Sequence, residues 1–195
     1  MPKKLMSTDE QFEKLNEVGR LAKEAAASDD IVQRVGAVTL YAGLVDFYTI
    51  QLARIVEQVI LKSQLETGEK PKFVPNTDSY FYDKRIDTRA ITNNIKNNLL
   101  PFRARSADSA VDAQRVNSLA NTLIKKTEKF LNYRNEIIHH VGSRKMTFLK
   151  LNTLCDKAIL AYKDFLPSHT AFFEAIRPYR FSEKELLYFY GSLKH

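Results

Sequence analysis

Apolar residues recur at intervals of three and four along most of this chain, the spacing that sets one face of an α-helix against a core. Phe12, Leu15, Val18, Leu21, Ala22 and Ala25 predict a first helix over about residues 8–27, and Thr8-Asp9-Glu10-Gln11 supplies a capping-box pattern at its start. Ser28-Asp29-Asp30 predicts a turn and a fresh N-cap. A second helix then extends to about residue 65 through Val38, Leu44, Val45, Ile50, Leu52, Ile55, Val56 and Val59. Between Val35 and Phe47 it is nearly apolar all round, which predicts the central buried helix.

Gly68, Pro71, Pro75, Asn76 and Asp78, interleaved with Phe73, Tyr80, Phe81 and Tyr82, predict a long aromatic-bearing loop over about residues 67–82. A shorter helix is expected over about 83–100, ended by Pro101, and a second loop over 102–106. A further helix covers roughly 108–141 and stops at Gly142. The last long helix is expected over about 147–176, kinked near Pro167, with a short one over 182–193. Strict period-two alternation persists nowhere. The expectation is a single all-α domain over residues 1–195, a bundle of about five to six helices.

Composition sharpens this picture. Only six Gly and six Pro occur in 195 residues, which suits long uninterrupted helices. The one cysteine, Cys155, excludes a disulfide framework and a cysteine-based zinc site; a reducing cytoplasm is the expected home and a buried, inert thiol the expected role. The amino terminus starts basic but turns acidic before any apolar stretch, unlike a signal peptide. The most apolar segment, residues 35–53, is broken by Asp46, so a soluble chain without a membrane span is expected. A net charge of +7 makes an anionic partner plausible. No glycine-rich phosphate loop, dinucleotide fingerprint, His-Glu-x-x-His pair or Gly-x-Ser-x-Gly elbow is present, and no convincing metal cluster.

The candidate chemistry lies in Asn132-Tyr133-Arg134-Asn135-Glu136-Ile137-Ile138-His139-His140-Val141-Gly142. On an ideal helix, Arg134 falls within about 40° of Leu123, Phe130 and Val141, in the middle of the apolar stripe. A guanidinium there needs a carboxylate, a dipole or a ligand, because an unpaired buried charge costs several kcal/mol. Asn135 and His139 are i, i+4 neighbours on one flank, and His140 points away from them. Arg134, Asn135 and His139 therefore mark one edge of the stripe just before the helix ends.

Arg134-Asn135, a short spacer and then His139, late in a helix of an all-α chain, resembles the motif of the HEPN domain family: an arginine, usually a polar residue, a spacer and a histidine. The resemblance rests on residues 134–139, and His140 satisfies the same pattern. Many members of that family are metal-independent endoribonucleases of toxin–antitoxin, abortive-infection and RNA-processing systems, and two copies of the motif meet across a two-fold axis. The resemblance thus implies a homodimer that cleaves RNA without cofactor or metal, with an antitoxin or other protein as a further partner. It also implies Arg134, Asn135 and His139 as catalytic residues, with His140 assisting; Asp46 of the second helix is read as a packing-face carboxylate that orients Arg134, a direct assisting role being the alternative.

The chemistry of such a site follows from general principles. RNA carries a 2′-hydroxyl beside each phosphate. Histidine as a residue type titrates near neutrality and can take its proton, while arginine donates paired hydrogen bonds to the charged phosphoryl oxygens. Tyr133 offers a ring for base stacking, and Arg103 and Arg105 in the second loop offer phosphate contacts.

Structural alternatives stand beside each role. Arg134 can instead be ion-paired to Asp46 or Glu57, and His139 can stabilise its helix C-terminus by about 2 kcal/mol or less. Tyr133 can be a packing aromatic, and Arg103 and Arg105 a solvated loop. Lys125, Lys126 and Lys129 read as an exposed face, and His169 as incidental. A non-catalytic HEPN-like helical module binding nucleotide, RNA or a protein is the competing function.

Overall fold

A computed structural model describes residues 8–66 and 110–180, with Ser182, Lys184 and Glu185 beyond them. Every regular element among the described residues is helical: α1 (Thr8–Ala26), α2 (Ile31–Glu66), α3 (Ala110–His140) and α4 (Phe148–Ile176), followed by a 3₁₀ turn (Arg177–Tyr179). The protein is all-α there. The expected loop over 67–82, the helix over 83–100 and the loop carrying Arg103 and Arg105 lie outside the described residues, as does most of the expected helix over 182–193.

Side chains at the termini explain where the helices begin and end. Ahead of α2, Asp30 Oδ1 accepts the Val32 amide at 2.8 Å and Ser28 Oγ accepts the Asp30 amide at 3.1 Å. These bonds satisfy donors that the first helical turn leaves open. At α4, Thr147 Oγ1 accepts the Lys150 amide at 3.2 Å in the same way. Helix α3 runs out through a turn in which His140 carbonyl accepts the Ser143 amide at 2.8 Å. Gly142 lies in this turn without a left-handed φ, so the turn does not require glycine.

The chain divides into two compact units, each assembled from distant segments: Met1–Phe47 with Lys125–Leu166, and Tyr48–Ile124 with Pro167–His195. In the first unit, Tyr162 of α4 stacks on Tyr41 of α2 at 4.0 Å and meets Phe130 of α3 edge-on at 6.2 Å. Phe165 lies 6.3 Å from the same Tyr162 ring. Phe130 and Phe165 are fully buried. Three helices thus converge on one aromatic cluster, each pair adding about 0.5–1.5 kcal/mol beyond area burial. Arg34 of α2 donates to Asn152 Oδ1 at 3.2 Å and to Asp156 Oδ1 of α4. Lys125 and Lys129 of α3 are exposed and Lys126 is half-buried, and Lys126 and Lys129 lie 3.2 and 3.9 Å from Asp164, an ion pairing the pattern alone did not show.

In the second unit Leu52, Val56 and Val59 of α2, Val116 and Leu123 of α3, and Phe172 and Ile176 of α4 are buried. His169 proves to be anchored rather than incidental. Its Nε2 lies 3.2 Å from the Tyr48 carbonyl, and its ring stacks on Phe173 and leans on Tyr48. Burial pushes its pKa below the ordinary histidine value, partly offset by that carbonyl.

Residues Ile31–Val56 of α2 are long and apolar enough to cross a membrane by length and composition, and half of their most apolar window is buried inside the protein. Ala37, Val38, Tyr41, Ala42, Leu44 and Val45 are core residues, whereas Thr39 and Gly43, four positions apart, stay exposed. The segment that reads as apolar all round therefore keeps one strip of small residues facing outward.

Candidate functional site

The buried stripe of α3 includes Val116, Ala120, Leu123, Ile124, Thr127, Phe130, Leu131 and Ile137, while Leu119 is half-buried. It does not continue to the end of the helix. Ile138 is 40 % exposed and Val141 47 %. Arg134 shares its helix face with both, within about 40°. It stands where the core stripe emerges at the surface, half-buried rather than enclosed.

Two of the expected site residues come together. Arg134 Nη1 donates to Asn135 Oδ1 at 2.9 Å. Arg134 Nε is buried and makes no hydrogen bond. Among the described residues no carboxylate pairs with this guanidinium, so the expected ion pair with Asp46 is not formed; half-buried Asp46 has its interactions elsewhere. The side chain of Glu57, the other expected partner, lies outside those described. Asn135 therefore supplies an oriented neutral acceptor, which holds the guanidinium without neutralising it.

His139 and His140 occupy the last turn of α3 and both are exposed. Among the described residues neither ring makes a hydrogen bond or ion pair, so the structure does not link them to Arg134 within one chain. His139 stands about 140° around the helix from Arg134. Tyr133 is half-buried. Glu136, one turn before His140 on the same face, lies 3.4 Å from Lys150 and ties the start of α4 to the end of α3. Local spacing showed no sign of that link, since Lys150 belongs to another helix.

A concavity of about 380 Å³ belongs to the other unit and is lined by Lys62, Arg177, Pro178, Arg180, Ser182 and Glu185. Its charges are largely matched internally. Lys62 Nζ lies 3.0 Å from Glu185 Oε1, and Arg177 lies 3.6 Å from Glu174. Glu185 accepts the Ser182 amide at 2.6 Å, and Ser182 Oγ accepts the Glu185 amide at 3.3 Å, a reciprocal capping box. These bonds from Ser182, with Lys62 beside them, lower the Glu185 pKa to about 2. The cavity is thus the socket of a helix start. No group of three potential metal ligands converges among the described residues.

No family model, curated protein or solved structure matches this chain.

Proposed function

We propose that this protein is a metal-independent endoribonuclease of HEPN type, acting in the cytoplasm as a homodimer and serving as a toxin or phage-defence effector. The observation that carries the reading is the state of Arg134: a half-buried guanidinium with no carboxylate partner among the described residues, steadied by Asn135, beside an exposed helix end bearing two imidazoles. A guanidinium kept in place by a neutral amide is suited to an external anion. In the proposed reaction, the RNA 2′-oxygen attacks the adjacent phosphorus as His139 takes its proton. The bond from phosphorus to the 5′-oxygen breaks, and that oxygen takes a proton from a second histidine acting as imidazolium, which becomes neutral; His140 is the nearest in sequence. Arg134 binds the phosphoryl oxygens as their charge grows. Atoms and charges balance without a metal, and a cyclic phosphate is left on one product.

The test is incubation of single-stranded RNA with the protein in EDTA. The parent should release fragments ending in cyclic or 3′-phosphate, and Arg134→Ala and His139→Ala should each abolish release while retaining the circular-dichroism spectrum. Equal cleavage by parent and both variants would refute the assignment. A second reading is favoured by the exposure of both histidines and their lack of a hydrogen bond or ion pair among the described residues: a helical module that binds nucleotide, RNA or a protein without cleaving it. Binding that requires Arg134 and yields no fragments would select that module.

A further inference from the structure

Beyond His140 the chain turns through residues 141–147 and enters α4, and this corner has an unusual charge and exposure pattern. No Asp or Glu occurs between Glu136 and Asp156, while Arg144, Lys145 and Lys150 do. Lys150 is drawn to Glu136. Arg144 and Lys145 are exposed and have no ion pair among the described residues. Phe148 is 76 % exposed and Leu149 79 %, while the first α4 side chain to reach the core is Leu151. The phenyl ring therefore stands in water, preceded in sequence by two cations that have no ion pair among the described residues.

We infer that this corner is a platform for an unpaired RNA strand, with Phe148 stacking on a base and Arg144 and Lys145 holding the neighbouring phosphates. An apolar protein surface would cover Phe148 and Leu149 but leave both cations unmatched. A polynucleotide answers both, because each nucleotide carries an aromatic face and one negative charge. A duplex keeps its bases stacked on one another, so an exposed ring reaches them only in a single strand. The Glu136–Lys150 bridge keeps the start of α4 beside the helix end that bears His140, so the platform flanks the proposed cleavage site. The inference rests on the RNA reading of that site and adds the element that selects strand type.

Binding is read apart from cleavage with a short fluorescein-labelled 2′-O-methyl oligonucleotide, whose blocked hydroxyl prevents attack, by fluorescence anisotropy on the full chain. Phe148→Ala should weaken binding about tenfold and Phe148→Tyr should retain it. Joint replacement of Arg144 and Lys145 by Ala should weaken binding and flatten the slope of log affinity against log salt by about 1.4. The duplex of the same sequence should bind more weakly than the single strand. Unchanged affinity in Phe148→Ala, or a duplex bound as tightly, overturns the inference. So does a self-associated parent that ignores the oligonucleotide and that Phe148→Ala disperses in sedimentation, because the corner would then be a contact between copies. Cleavage of unmodified RNA indifferent to Phe148 would sink the platform and leave the nuclease. Phe148-dependent binding with intact RNA would do the reverse.

Discussion

Arg134 Nη1 donates to Asn135 Oδ1 at 2.9 Å, so the half-buried guanidinium near the end of α3 is held by its sequence neighbour, a neutral amide. Asn135→Asp should therefore be informative. It puts a carboxylate where the guanidinium now meets a neutral amide, and cleavage or RNA binding should fall at least about tenfold, a loss of roughly 1.4 kcal/mol. Arg134→Met should match this functional loss without lowering Tm, because a poorly satisfied guanidinium gives way to a flexible apolar chain. A Tm fall of more than about 4 °C, roughly 1 kcal/mol for a chain of this size, would show that Arg134 is structural.

Phe165 and Phe148 form a matched pair of opposites on α4. Phe165 is fully buried against Tyr162, whereas Phe148 is solvent-exposed. Phe165→Ala should cost about 3–5 kcal/mol in urea unfolding, and Phe148→Ala should stay within about 0.5 kcal/mol. Comparable losses from the two would contradict the packing described.

His169 predicts a pH effect of definite sign. Its folded pKa lies below the ordinary value of 6.5, so the unfolded chain binds more protons just below that pH. Stability should be constant above about 6.5, fall as acid is added, and level off below the folded value. His169→Phe keeps a ring against Phe173 but cannot charge, and should flatten this part of the curve. Thermal melts of both proteins between pH 7.5 and 5 provide the comparison, with identical slopes as the adverse result.

Cys155 is completely buried, and burial raises its thiol pKa, with Arg34 opposing and Asp156 reinforcing the shift. Alkylation by iodoacetamide should be negligible in native buffer and track unfolding in urea. Rapid native labelling would mean that α4 opens locally.

The helices were legible because their determinants are local. Ser28 and Asp30 announce the start of α2, and apolar residues at intervals of three and four trace α1 through α4 to within about two residues, the usual uncertainty of helix ends. Arg134, Asn135 and His139 stood out for the same reason, a polar edge interrupting a regular stripe. The burial of that stripe was less legible. Ile138 and Val141 fit the periodicity as well as Ile137 does, yet only Ile137 is enclosed, because burial depends on whether another helix passes over it.

The residue order by itself determined an all-α chain with a cation on the apolar edge of α3, since backbone hydrogen bonding and side-chain period act over one or two turns. Only the tertiary structure decided that Arg34 meets Asp156, that Lys126 meets Asp164, and that Arg134 meets Asn135 and no carboxylate among the described residues. Those outcomes depend on which distant helix arrives opposite each side chain, and spacing along one helix carries no record of that.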